Sequence, residues 1–211
     1  RVDRRQRQMC IRDRCSTCKC KLISGKTDTY RDELGLSQEE KDAGYILSCV
    51  RYATEDIEIE INDLGNIKMP KPVTVPCKIN KIVKATSDIV ILTLRIPPNS
   101  DFDYIPGQYI DMIGPSGIKR SYSIANHNNN QVLELHIKEI KNGIFSDYWF
   151  NKANPDDLLR LNGPHGTFFL RDSDKGIIFL ATGTGIAPVK AMLENIQSID
   201  SYNDKSIILL W

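Results

Sequence analysis

Arg120-Ser121-Tyr122-Ser123-Ile124-Ala125 is the stretch on which the fold turns. Arg120 offers a charged fork that suits a pyrophosphate. Tyr122 offers a flat ring that can stack on an aromatic cofactor, and Ser123 a hydroxyl for a ring nitrogen. Alone, the stretch also reads as an ordinary strand with alternating exposed side chains, so its neighbours decide. Ile89–Ile96 and Tyr109–Ile113 precede it and Val132–Lys138 follows it, each with apolar residues at period two. Pro97-Pro98-Asn99, Pro106-Gly107, Gly114-Pro115-Ser116-Gly117 and Asn128-Asn129-Asn130 are turn signals between them. Short strands at this spacing predict a small antiparallel barrel.

The second half of the same site is expected about twenty residues downstream of the first. Asn142-Gly143-Ile144-Phe145-Ser146 opens a short helix near Phe145-Ser146-Asp147-Tyr148, and the N–H groups of such a turn suit the other side of a pyrophosphate. His136 and Lys138 lie on the intervening strand, where either can reach an adenine half; for His136 a structural or solvated role is the alternative. Gly163-Pro164-His165-Gly166 reads as a turn leading into the apolar strand Thr167–Leu170. His165 has no partner apparent in sequence and is read as loop geometry.

After Asp174 the pattern changes to strand, helix, strand. Gly176–Ala181 is a buried strand and Thr182-Gly183-Thr184-Gly185 a tight turn. Pro188 suits the first helical position, and Val189, Met192, Leu193 and Ile196 recur at helical spacing. Ser206–Trp211 forms the next strand. A glycine loop between strand and helix is the context of a dinucleotide site, although Pro188 departs from the G-x-G-x-x-G pattern. A tight turn without a ligand is the plain alternative. One such unit cannot cover both faces of a parallel sheet, so this region is expected to be truncated.

Cys10-x4-Cys15-x2-Cys18, followed after 30 intervening residues by Cys49, has the plant-type spacing of a [2Fe–2S] cluster. A zinc site on Cys15, Cys18, Cys20 and Cys49 is the alternative. Cys20 and Cys77 read as small buried hydrophobes. Residues 1–14 resemble translated sequencing-adapter DNA and are expected to be a non-native leader. The loop from Cys10 to Cys15 also lacks the small residues that let a backbone approach cluster sulfurs. Cys10 is thus either the first ligand or a replacement for a native cysteine.

The 211 residues can hold more than one small core. Residues 1–14 carry six Arg against two Asp, leaving 22 basic and 25 acidic residues elsewhere. A nearly neutral, slightly acidic remainder gives no reason to expect nucleic acid as a partner. No apolar run is long enough for a membrane span, and no secretory signal is legible. A cytoplasmic protein with reduced thiols is expected.

In order, Arg120–Ser123, Gly143–Ser146, Gly163–Gly166 and Gly183–Pro188 resemble the motifs of the ferredoxin–NADP reductase superfamily, and Leu47-Ser48-Cys49 resembles the fourth-ligand segment of a ferredoxin module. Within it, the run from Pro72 to Glu194 most resembles the CDP-6-deoxy-Δ3,4-glucoseen reductases. The resemblance implies a multidomain α+β and α/β protein. Residues 15–68 would be a partial β-grasp ferredoxin module, 73–171 a six-stranded antiparallel flavin-binding barrel, and 175–211 the start of a Rossmann-like nucleotide-binding domain. It implies FAD held by Arg120, Ser121, Tyr122, Ser123, His136, Lys138, Gly143, Ile144, Phe145 and Ser146, with Tyr122 and Ser123 at the reacting ring. It implies NADH or NADPH held by Thr182, Gly183, Thr184, Gly185 and Pro188, and a cluster on Cys10, Cys15, Cys18 and Cys49. The electron acceptor it implies is a pyridoxamine-phosphate-dependent CDP-sugar dehydrase. A bacterial oxygenase component, or a non-enzymatic electron carrier or zinc-binding module, remains the alternative.

Overall fold

The computed structural model describes residues 18–61, 67–114, 117–127, 132–171, 173–199, 202 and 204–211. The chain divides into two compact units between Ile67 and Lys68, close to the Pro70-Lys71-Pro72 segment that blocks helix and central strand alike.

In the first unit, β1 (Lys19–Ser24) and β2 (Thr27–Thr29) precede the one-turn helix α1 (Gln38–Asp42). β3 (Tyr45–Leu47), β4 (Arg51–Ala53) and β5 (Glu58–Glu60) follow. β1 pairs antiparallel with both β3 and β5, and β2 pairs with β4. Helix α1 was not legible as an apolar period; its start is written in Ser37-x-x-Glu40. The Ser37 hydroxyl accepts from the Glu40 N–H at 3.2 Å, and the Glu40 carboxylate accepts from the Ser37 N–H at 2.9 Å, a reciprocal cap. The buried core is Leu36, Leu47 and Val50. At about 1.5–3 kcal/mol for each such side chain, burial alone is modest here. An ion pair between the buried Glu33 and the half-buried Arg51, at 2.6 Å, ties the same segments together.

In the second unit, six strands form one sheet. They are β6 (Val73–Lys84), β7 (Ile89–Arg95), β8 (Tyr109–Ile113), β9 (Lys119–Ser123), β10 (Val132–Lys138) and β11 (Leu158–His165). Their order is β10-β7-β6-β11-β8-β9, antiparallel throughout. Ile124 bridges Leu135, and the Ala125 N–H donates to the Glu134 carbonyl at 2.8 Å. The continuation of β9 thereby returns to β10 and nearly closes a barrel. Period two sorts the side chains: Leu92, Leu94, Leu133, Leu135, Ile110, Met112 and Leu161 are buried in one core. Pro76 sits inside β6 without breaking it. At that point β6 pairs only with β11, because pairing to β7 begins at Lys78.

The sequence reading fails at Gly163-Pro164-His165. These residues end strand β11, and Thr167–Leu170 forms no strand. The pairing of Asn162 with Asp111 and of His165 with Tyr109 outweighs the local turn propensity of Gly and Pro. A short helix, α2 (Ile144–Asp147), continues as a wider turn through Lys152. It places Phe145 and Trp149 in the barrel core.

β12 (Ile177–Leu180) and β13 (Ile207–Leu210) pair in parallel and are linked by helix α3 (Ile186–Ile196). Phe179, Val189, Met192, Ile196 and Tyr202 make a second core. Pro188 is the third helical residue, not the first. A tight 3-10 turn over Gly183–Gly185 leads directly into the helix, so helical geometry starts earlier. Proline is tolerated there because first-turn N–H groups have no intrahelical acceptor. Among the described residues, no helix is long and apolar enough to cross a membrane.

Candidate functional site

Alternation along β9 divides its residues between two environments. Ser121 donates to the carboxylate of Asp111 on β8 at 2.7 Å, and Asp111 is itself buried. Tyr122 turns the other way, toward Phe145 at 6.4 Å and edge-on to Trp149 at 6.3 Å between ring centroids. The Trp149 indole N–H donates to the Tyr122 hydroxyl at 3.0 Å. Burial raises the Tyr122 pKa against the opposing pull of that bond and of Arg120, so the phenol stays neutral. The ring is therefore fixed at both ends.

Those aromatic contacts are what bring β9 and α2 together, and with them Arg120 and the Gly143 turn. Arg120 is exposed, and one of its N–H groups is used by the Lys119 carbonyl at 2.8 Å, leaving the rest of the fork for an anion. Gly143 opens α2 in extended backbone, and Ser146 is buried with its hydroxyl accepting from the Ile140 N–H at 2.8 Å. The turn is thus held by its own side chain while the first helical N–H groups stay outside the helix ladder. Ser123 lies half-buried at the end of β9. This donor set, a guanidinium fork and a helical first turn beside an oriented phenol, fits the pyrophosphate and ring of FAD.

His136 and Lys138, expected to reach an adenine half, each lie beside a carboxylate. His136 Nε2 lies 2.8 Å from Glu134 Oε1, and Lys138 lies 3.8 Å from Asp88. Both already have carboxylate partners. His165, read as partnerless, also has a carboxylate nearby. Its Nε2 is 2.9 Å from Asn162 Oδ1 and 3.8 Å from Asp111 Oδ2, and its ring lies 5.6 Å from that of Tyr109. Asp111 is the residue that sequence reasoning missed. Its signal was an acid between two core positions, Ile110 and Met112.

The Thr182–Gly185 loop lies at the carboxyl ends of β12 and β13, where ligands of open parallel sheets bind. A cleft of about 540 Å³ there is lined by Leu180, Ala181, Thr182, Leu210 and Trp211. Gly183 has φ +51 with open space where a side chain would stand, and its carbonyl accepts from the Trp211 indole at 3.1 Å. The loop also lies beside β10. Lys190 of α3, which the motif search passed over, reaches that strand at Glu134 and pairs with Glu194; their (i, i+4) spacing was the available signal.

In the first unit, Ser48 joins two of the expected metal ligands. Its N–H and its hydroxyl donate to the Cys18 carbonyl at 3.1 and 3.2 Å, and Ser48 adjoins Cys49. The Cys49 carbonyl accepts from the Tyr30 hydroxyl. Both thiols are half-buried. Cys10 and Cys15 lie outside the described residues. Cys20 is buried on β1 and Cys77 in the barrel, where burial pushes its thiol up to about 12. Two half-buried thiols, on segments joined through Ser48, fit part of a thiolate ligand set.

Glu33 pins the ligand segment from behind. Its carboxylate accepts from the Leu47 N–H at 2.7 Å and from Arg51 at 2.8 and 2.6 Å, bracketing Cys49. Burial alone would raise its pKa, but the bonds from Arg51 and Leu47 outweigh it and hold the carboxyl below the ordinary range.

Residues 76–170 match the family described as an oxidoreductase FAD-binding domain, and residues 5–54 the 2Fe-2S iron–sulfur cluster binding domain. The chain is 41% identical over 198 residues to the CDP-6-deoxy-L-threo-D-glycero-4-hexulose-3-dehydrase reductase of Yersinia pseudotuberculosis, across 93% of this chain and 59% of that protein. It is 32% identical to the xylene/toluene monooxygenase electron transfer component XylA of Pseudomonas putida, across 90% and 54%. The crystal structure of the Amycolatopsis cytochrome P450 reductase GcoB superposes with a TM-score of 0.66 at 27% identity, covering 92% of this chain and 60% of that one. The chain thus spans about three-fifths of the length of the curated relatives it matches.

Proposed function

The chain belongs to the ferredoxin–NADP reductase superfamily, in the branch that joins a 2Fe-2S cluster binding domain to an FAD-binding oxidoreductase domain, and from that premise we propose that it moves electrons from NADH or NADPH through FAD to a [2Fe–2S] cluster. The observation that carries this reading is the identity to the Yersinia reductase, which runs through 93% of the chain and so through both units. The finer reading is that the electrons go on to a pyridoxamine-phosphate-dependent dehydrase acting on a CDP-hexulose, in the cytoplasm, for 3,6-dideoxysugar synthesis. That acceptor rests on the relative's name.

We assign residues 15–68 to the ferredoxin module, 73–171 to the flavin barrel and 175–211 to the nucleotide-binding part. When bound, FAD takes up an electron pair as hydride and the cluster carries electrons away singly. Arg120 binds the pyrophosphate as a fork, and the Gly143–Ser146 turn meets it from the other side. Tyr122, oriented by Trp149, supports the flavin ring. Ser123 donates its hydroxyl where charge develops on that ring. Ser121, held by Asp111, keeps β9 in register so that Arg120 and Tyr122 face the ligand. Thr182–Gly185 and Pro188 hold the nicotinamide nucleotide, and Cys10, Cys15, Cys18 and Cys49 hold the cluster. His136 and Lys138 border the adenine half.

The test is anaerobic reduction of the flavin-loaded protein by NADH, followed by addition of candidate acceptors. Bleaching of the flavin spectrum by NADH, and its recovery with a CDP-hexulose dehydrase and substrate, are the expected results. Recovery only with an oxygenase component would transfer the assignment to the oxygenase reductases, a reading favoured by the similarity to XylA. A protein that binds no flavin would be a carrier or scaffold.

A further inference from the structure

Lys190 lies on the helix that begins at the nucleotide loop, yet its ammonium group is directed at the barrel. It donates to the Ala125 carbonyl at 3.1 Å and pairs with Glu134 Oε1 at 3.2 Å and Glu194 Oε1 at 2.6 Å. Three acceptors satisfy the three N–H donors of an ammonium group, so Lys190 has none left for a ligand. The other carboxylate oxygen of Glu194 accepts from the His127 N–H at 2.8 Å. Glu134 Oε1 is shared with His136 Nε2. Ala125 closes the Arg120–Ala125 motif, and Glu134 stands on β10 beside the Gly183–Gly185 turn.

The two ends of this cluster therefore belong to the two halves of the reaction. One end is Ala125, two residues beyond the strand that carries Arg120, Tyr122 and Ser123. The other is the helix whose first turn carries the nucleotide loop. Glu134 is held below the ordinary carboxylate range by His136, against burial and with the help of Lys190, and so stays charged at neutral pH.

We propose that Lys190 is a positioning residue that locks the Thr182–Pro188 loop to the Arg120–Ala125 segment and so fixes how a nicotinamide held by the loop meets a flavin held by β9. This rests on the function proposed above. Hydride transfer is steep in donor–acceptor geometry, and misplacement by about 1 Å costs on the order of 100-fold in rate.

The experiment compares wild type, Lys190→Met and Lys190→Arg, all flavin-loaded, by stopped-flow reduction with NADH and with C4-deuterated NADH. Amide hydrogen exchange is read separately in the flavin-free proteins. For Lys190→Met the expected result is an unchanged flavin spectrum, a limiting reduction rate lower by about 10- to 100-fold, and a larger deuterium isotope effect. Exchange should rise together in residues 125–127 and 183–187, and Lys190→Arg should recover part of the rate. A limiting rate within about twofold of wild type overturns the proposal, since geometry would then be set elsewhere. So does a variant that loses only flavin content or thermal stability while each bound flavin is reduced normally. If NADH fails to reduce the wild-type flavin, the functional reading fails instead, and the exchange measurement still decides whether Lys190 couples the two segments.

Discussion

Ser121, held by Asp111, lies between Arg120 and Tyr122 on β9, so single substitutions there separate the proposed ligand contacts from support. Arg120→Ala removes a charge-assisted contact of about 1.5–3 kcal/mol, which lowers flavin affinity by about 10- to 100-fold in a fluorescence titration. Tyr122→Phe removes only the bond from Trp149, about 1 kcal/mol, and is expected to weaken binding modestly. His165 gives a pH test. Burial disfavours its charged ring, Asp111 opposes this, and the net pKa lies below the ordinary histidine value. The unfolded chain therefore takes up that proton at higher pH than the folded one. The resulting stability is complete above about pH 6.5 and declines as pH falls below it. The thermal midpoint of wild type should drop between about pH 7.5 and about 5.5, and His165→Asn should flatten that drop; equal slopes would refute the assignment. The Arg120–Ser123 motif could be proposed from sequence because Arg, Tyr and Ser carry their chemistry in their type. The carboxylate neighbour of His165 could not be, since it depends on β8 and β11, distant in sequence, being neighbours in the sheet.

At the scale of elements, apolar alternation was enough to find β7, β8 and β10, whose bounds follow the period-two runs closely. Leu135, buried and beside the closing bridge to Ile124, should cost about 2–5 kcal/mol when replaced by Ala, read as a lower denaturation midpoint. A loss under about 1 kcal/mol would mean that the barrel does not close there. β11 was misread because Gly163 and Pro164 carry turn propensity while cross-strand pairing decides the outcome. The start of α3 was displaced because proline marks the first turn of a helix without marking which residue of it. Helix α1 was missed for want of apolar residues: none of its residues is buried, and its capping box was its whole signal. Ser37→Ala should cost about 0.5–2 kcal/mol in the first unit, measured by its thermal midpoint.

At the scale of the molecule, the two units have separate cores, so damage to one is expected to leave the other's cofactor in place. Glu33→Ala removes the partner of the half-buried Arg51 and the acceptor of the Leu47 N–H, and should destabilise the first unit by about 1–3 kcal/mol. Cluster absorbance and electron paramagnetic resonance should fall while flavin content holds. The boundary near Pro70-Lys71-Pro72 was legible from composition, whereas the pinning of Cys49 by Glu33 was not, because the pair joins residues 18 apart through a turn that no period describes. The central claim is that the barrel holds FAD through Arg120. The most direct measurement is the visible spectrum of the purified chain after incubation with FAD and desalting, beside Arg120→Ala treated identically. An oxidised-flavin spectrum that survives desalting in wild type and is largely lost in the variant is the expected result. A folded wild-type chain that emerges colourless, or a variant that keeps its flavin equally well, would contradict it.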